Sequence, residues 1–198
     1  MSHHTKALLL AVLACQLLAT GCSHKQNMIQ GRTVAAWVNE VEISGFPSRA
    51  TDVLNDAGPR VMPDLAKVLR ESKSPQEQAK AAFAMSGICY RNPNAPEVHD
   101  VVRPLIISAK DTDSEVQIYS IQALGAIGKA ANVALPSLIQ LTTHTNASVR
   151  TCAVEALGRI GVDSPESLTA LKTAASDTSD DVRITATKAL ELLHSDQK

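Results

Sequence analysis

The sequence predicts an all-α fold, a superhelical solenoid of about five stacked helical pairs, on three observations. A helical unit recurs three times at a fixed interval of 33 residues, marked by Val116, Val149 and Val182. The same neighbours return around each valine: Asp113, Asn146 and Ser179 three residues before it, and Ala123-Leu124, Ala156-Leu157 and Ala189-Leu190 after it. Aromatic residues make up 3% of the chain against 44% hydrophobic residues, a balance that suits close-packed helices of Ala, Leu, Ile and Val. Units of this size bury their apolar faces only against their neighbours, so they build an extended surface rather than a closed pocket.

From the N-terminus, Lys6 precedes an apolar stretch at residues 7–20, interrupted only by Gln16. Its length fits a signal-peptide core and falls short of the roughly 20 residues that span a bilayer. The stretch ends in Ala19-Thr20-Gly21-Cys22, which resembles the bacterial lipoprotein signal, although Ala19 stands where Leu is usual. That resemblance implies a signal peptide at residues 1–21 and a mature N-terminus at Cys22 carrying diacylglycerol and an amide-linked acyl chain such as palmitate. Each buried methylene contributes about 0.8 kcal/mol, so two or three chains anchor where one does not. Ser23 is not the aspartate that holds some lipoproteins at the inner membrane, so the expected address is the outer membrane, facing the periplasm. Residues 22–32 then read as the lipidated cysteine and a polar tether with Lys25, Gln26, Asn27 and Gln30.

Residues 33–198 form the repeat domain. Val34, Trp37, Val38 and Val41 open a first pair, closed by Ala50, Val53, Leu54 and Gly58. Trp37 falls where later units carry leucine, and a bulky ring there is expected to cover the open end of the stack. Leu65, Val68 and Leu69 open a second pair that ends in Ala81-Ala82, Met85 and Gly87-Ile88. The last three pairs keep the period: Leu105, Leu138 and Leu171 mark the first helices, and Asp113, Asn146 and Ser179 begin the second ones. Those three residue types are preferred N-caps because their side chains accept from unpaired backbone amides. Small residues four and seven positions after each valine allow close helix approach. Gly125/Gly128 and Gly158/Gly161 are expected to end the helices through left-handed backbone. Glu191 and His194 replace the glycines in the final unit, as a terminal cap with a wet outer face requires.

The run Leu138-Ile139, Asn146-Ala147-Ser148-Val149-Arg150 and Glu155-Ala156-Leu157-Gly158-Arg159-Ile160-Gly161 resembles HEAT repeats of the short bacterial type found in phycobilisome lyases. The signatures of ankyrin and tetratricopeptide arrays are absent from the sequence. The resemblance implies a right-handed α-α superhelix of the HEAT or armadillo kind, with second helices lining its concave face.

Two groups of residues are candidates for partner binding. Arg150 and Arg183 follow the valines and either belong to a binding face or pair with Asp111, Asp113 and Asp177 in a ladder along the stack; the ladder is favoured, with Gln117 weakening it in its unit. The segment at residues 90–97 interrupts the period, since Gly87 and Gly125 stand 38 apart. Insertions in repeat arrays map to edge loops, which often bind, so Tyr90, Arg91, Asn92, Asn94 and His99 are candidates. The competing reading is a spacer, with Pro96 opening the next helix.

Little points to chemistry. His99, His144 and His194 are scattered, and metal-binding HExxH or CxxC spacings, phosphate loops and nucleophile elbows are missing. No enzyme, cofactor or metal is expected. The His-Glu pairs by which HEAT-type hydroxylases hold iron are also lacking. Asn146-Ala147-Ser148 matches a glycosylation acceptor but is read as the helix cap. Cys89 and Cys152 lie a whole unit apart, too far for a disulfide. They are read as small buried hydrophobes. Net charge is −1, and −2 once residues 1–21 with their single Lys6 are removed, so the phosphate-neutralising surface of nucleic-acid binders is not expected. The function predicted is a membrane-anchored scaffold that binds another protein in the bacterial cell envelope. The alternative is a lyase- or chaperone-like protein that handles a small molecule or chromophore.

Overall fold

A computed structural model of the chain describes residues 28–43, 48–161 and 164–195. The expected signal peptide, Cys22 and the first part of the tether lie outside these residues. The end of the tether is already folded: β1 (Met28–Ile29) and β2 (Arg32–Thr33) form an antiparallel hairpin, with Ile29 opposite Arg32. Gln30 and Gly31 turn it with φ of 50° and 77°, the paired left-handed residues that match strand twist in a two-residue turn. This hairpin closes the N-terminal end of the stack. Trp37 does not serve as the outer cover; it is itself buried, with its indole Nε1 donating to the Ile29 carbonyl at 2.9 Å. Arg32 lies 4.4 Å over the ring and is held by both oxygens of Glu40.

Among the described residues five helical pairs follow. They are α1 (Val34–Asn39) with α2 (Arg49–Ala57), α3 (Met62–Glu71) with α4 (Pro75–Arg91), and α6 (Val102–Ser108) with α7 (Ser114–Ile127). Next come α8 (Leu135–Leu141) with α9 (Ala147–Ile160), and α10 (Pro165–Ala174) with α11 (Asp180–Ser195). A short extra helix, α5 (Pro96–Asp100), absorbs the out-of-period residues, with Pro96 in its first turn and Val98 buried beneath it. The caps fall where side-chain chemistry puts them: Asp113 accepts from the amides of Glu115 and Val116, and Asn146 from Ser148. The columns Leu105, Leu138, Leu171 and Val116, Val149, Val182 are fully buried.

The glycines divide into two jobs. Gly128 and Gly161 close α7 and α9 with φ of 66° and 96°, as expected. Gly125 and Gly158 do not end their helices; they lie inside α7 and α9, where the next second helix comes closest. A Cβ on Gly125 would stand 3.1 Å from Ala156 Cα, and one on Gly158 only 2.8 Å from Ala189 Cβ. Ala156 and Ala189, seven positions after Val149 and Val182, are therefore the partners of these glycines, and the row α7, α9 and α11 is built on such contacts. The final helix is less polar than a wet cap, since exposed Ile184 and Leu192 accompany Glu191.

Gly158→Ala should lower stability by about 1–2 kcal/mol, because overpacking outweighs the helix-propensity gain of about 1 kcal/mol. A raised urea midpoint would show instead that α11 moves aside freely. Ser120 stands in the column of Ala153 and Ala186, fully buried with its hydroxyl unpartnered. Ser120→Ala should therefore stabilise by about 1 kcal/mol, and an unchanged or lowered midpoint would contradict this.

Candidate protein-docking groove

The second helices carry a groove of about 380 Å³ that crosses α2, α4, α7 and α9. Its floor is made of small residues: Ser86, Gly87, Gly125, Ala126 and Ala156, with Cys152 beside them. The close approach of the helices explains this floor: Gly125 packs on Ala156 and Gly87 on Asn55, where a Cβ would collide. The walls are long and polar. Tyr90 and Arg91 rise from α4, Gln122 from α7, and Glu155 and Arg159 from α9. Arg159 reaches back over α7, its Cδ 3.6 Å from where a Gly125 Cβ would sit, and its guanidinium stands 5.9 Å from the Tyr90 ring centroid. Asn55 of α2 closes one end, its Oδ1 buried against Gly87 without a hydrogen-bond partner.

The structure separates the sequence candidates. Tyr90, 69% exposed, and Arg91 line the groove. Asn92 ends α4: its backbone N–H donates to the carbonyls of Ile88 and Cys89, and its side-chain Nδ2 to Ile88. Asn94 is exposed in the turn that follows, and His99 is exposed on α5, which packs near α3 among the first helices. The out-of-period segment is thus largely the spacer opened by Pro96, and only its first two residues reach the groove.

Arg150 and Arg183 brace the stack. Arg150 donates through Nε and Nη2 to both Asp177 oxygens at 2.9 and 2.8 Å, and through Nη1 to the carbonyls of His144 and Thr145. Arg183 repeats the carbonyl contacts on Asp177 and Thr178 and pairs with Asp180. Of the three expected acids, Asp177 alone meets an arginine. Asp111 and Asp113 instead accept backbone amides, and Gln117, which stands where the later units have Arg150 and Arg183, is buried. His144 takes the place of Asp111 and Asp177 in its unit, its Nδ1 accepting from the Asn146 amide at 3.1 Å.

Asn55, Gln122, Glu155 and Arg159 were not singled out in the sequence. Their only signal is their place among the repeat columns, which does not reveal which column faces a groove. The two thiols are held neutral by burial: Cys89 is pushed up to about 12, and Cys152 is also raised. Neither is in a disulfide. Among the described residues no group of His, Cys, Asp or Glu could hold a metal ion, and no described helix is long and apolar enough to cross a membrane.

Residues 102–191 match the family model for HEAT repeats. The three C-terminal pairs are HEAT repeats. The whole helical solenoid is similar in fold to solved structures of repeat proteins. The complex of CpcE and CpcF of phycocyanin lyase from Nostoc sp. PCC7120 matches with a TM-score of 0.63 at 19% identity, covering 79% of this chain and 97% of that one. An engineered protein matches with a TM-score of 0.59 at 23% identity, over 82% and 79% of the two chains. A designed armadillo repeat protein in complex with the peptide (KR)4 gives 0.57 at 18% identity, over 97% and 95%. At these identities the likeness is one of fold. No curated protein matches the chain.

The Asp177 carboxyl is held below its ordinary pKa of 3.8, first by Arg150 and then by the Ser179 amide. Its contribution is therefore complete above the ordinary value and is lost as pH falls through the lowered one. Asp177→Asn should lower the urea midpoint by a constant amount between about pH 5 and 7, with the gap closing below about pH 4. A gap that persists at low pH would show that packing, not the ion pair, is what the substitution removes.

Proposed function

We propose that this chain is a membrane-anchored HEAT-repeat scaffold of the bacterial cell envelope that docks an extended segment of another protein on its second-helix face. The observation that carries this reading is the groove itself. Helices from four successive pairs contribute to it, with small residues between them and exposed, hydrogen-bonding side chains along its walls. Such a trough accepts a polypeptide backbone more readily than a compact ligand, because a compact ligand is normally enclosed over most of its surface. The exposed carboxamide of Gln122 supplies a donor and an acceptor of the kind a peptide backbone needs.

The anchor belongs to the same proposal. Cys22, acylated after removal of residues 1–21, fixes the solenoid at a membrane, with the outer membrane and the periplasmic side as its address. The fold likeness to the CpcE–CpcF complex supports the alternative of small-molecule or chromophore handling, and a coloured protein after co-expression with a bilin would favour it.

Two measurements test the main reading. Cys22→Ala should release the protein from the membrane fraction; a variant that still sediments with membranes would remove the anchor from the proposal. A photo-crosslinking residue at Tyr90 should give a saturable adduct with a partner polypeptide in native membranes, and one at exposed Ile107 on first helix α6 should not. Equal adducts at both positions, or none at Tyr90, would count against the groove.

A further inference from the structure

We infer that the groove selects an acidic extended segment, an inference that rests on reading the groove as the docking site. The charged residues that line it are Arg91, Arg159 and Glu155, two cations against one anion. How firmly each arginine is held decides what it offers. Arg150 is committed to the fold: its side chain and that of Asp177 are only 12% and 14% exposed. Arg91 is not, because Asp56 stands 4.0 Å away with the two side chains 55% and 81% exposed. Arg159 pairs with Glu155, one turn back on its own helix, with both side chains nearly half exposed. Exposed pairs of this kind contribute little and exchange readily for an incoming carboxylate.

The positions of the two arginines give that carboxylate a place. Arg159 extends over the recess at Gly125 toward Tyr90, and Arg91 is the next residue along α4. A carboxylate entering beside Tyr90 meets the planar fork of Arg159, which accommodates two parallel hydrogen bonds. The Tyr90 ring supplies an apolar wall for the aliphatic part of the side chain. The backbone on either side runs along the small-residue floor between the walls of Tyr90 and Gln122. A lysine- or arginine-rich segment would place its cations against Arg91 and Arg159 instead, and like charges in contact disfavour binding.

The test uses the folded protein and fluorescence anisotropy with three labelled peptides of equal length, alternating Glu-Ser, Gln-Ser or Lys-Ser. The Glu-Ser peptide should bind at least about tenfold more tightly than the Gln-Ser peptide, with the difference shrinking as salt rises from about 50 to about 300 mM. Arg91→Glu with Arg159→Glu should remove that preference. Arg103→Glu, on the exposed face of α6, should leave it intact, and both variants should keep the parent urea midpoint. Equal binding of the acidic and neutral peptides, or tighter binding of the Lys-Ser peptide, overturns the acidic preference while leaving the groove as a docking site. Binding of none of the three also overturns it, and the cross-link from Tyr90 then decides whether the groove reading itself stands.

Discussion

The distance between neighbouring second helices governs the rest of this structure. At Gly125–Ala156 and Gly158–Ala189 the backbones approach so closely that a single added Cβ has no room. Close approach of this kind multiplies weak dispersion contacts along the whole length of the row. The first helices follow from it: they cover the other side of the row through Leu105, Leu138 and Leu171 and need no comparable intimacy with one another. The groove follows too, since its floor is the outer surface of the same small residues. Stability and the candidate site therefore draw on one set of positions, and a substitution at Gly125 alters both.

Arginine use along the chain shows how one residue type serves several ends. Arg32 stacks on Trp37 and binds Glu40, holding the hairpin to the first pair. Arg150 ties two units together through Asp177, 27 residues later in the chain. Arg183 repeats the local half of that arrangement on the carbonyls of Asp177 and Thr178. Arg91 and Arg159 stand on the groove walls with weak, exposed counter-charges. The division depends on where each side chain emerges from its helix and on whether an acceptor lies within reach, not on any difference in the residue itself.

Much of the fold was legible in the chain because repetition makes columns visible. The leucines, valines and N-caps recur at one interval, and each column has a single physical job. The glycines were harder to read. Gly125 and Gly128 are both preceded by apolar residues and both sit near a helix end, yet one relieves a steric contact and the other adopts positive φ. Sequence alone shows only that glycine is present, since either need selects it. The hairpin at Met28–Thr33 was missed because two-residue strands carry no period, and its hold depends on Trp37, eight residues past Ile29. At the groove, Tyr90 and Arg91 announced themselves by breaking the period. Asn55, Gln122 and Arg159 did not, because they keep it, and which column faces a groove is set by the curvature of the assembled row.

Glu191 occupies the position that Gly158 holds one unit earlier. A side chain there takes the place of the missing Cβ, so α11 does not offer the glycine contact that α7 and α9 offer. The hairpin over Trp37 covers the first pair. Close packing of glycine on alanine is thus a property of the interior of the row. A copied unit inserted between α7 and α9 would bring its own glycine and alanine and extend the trough by one helix, without disturbing either end.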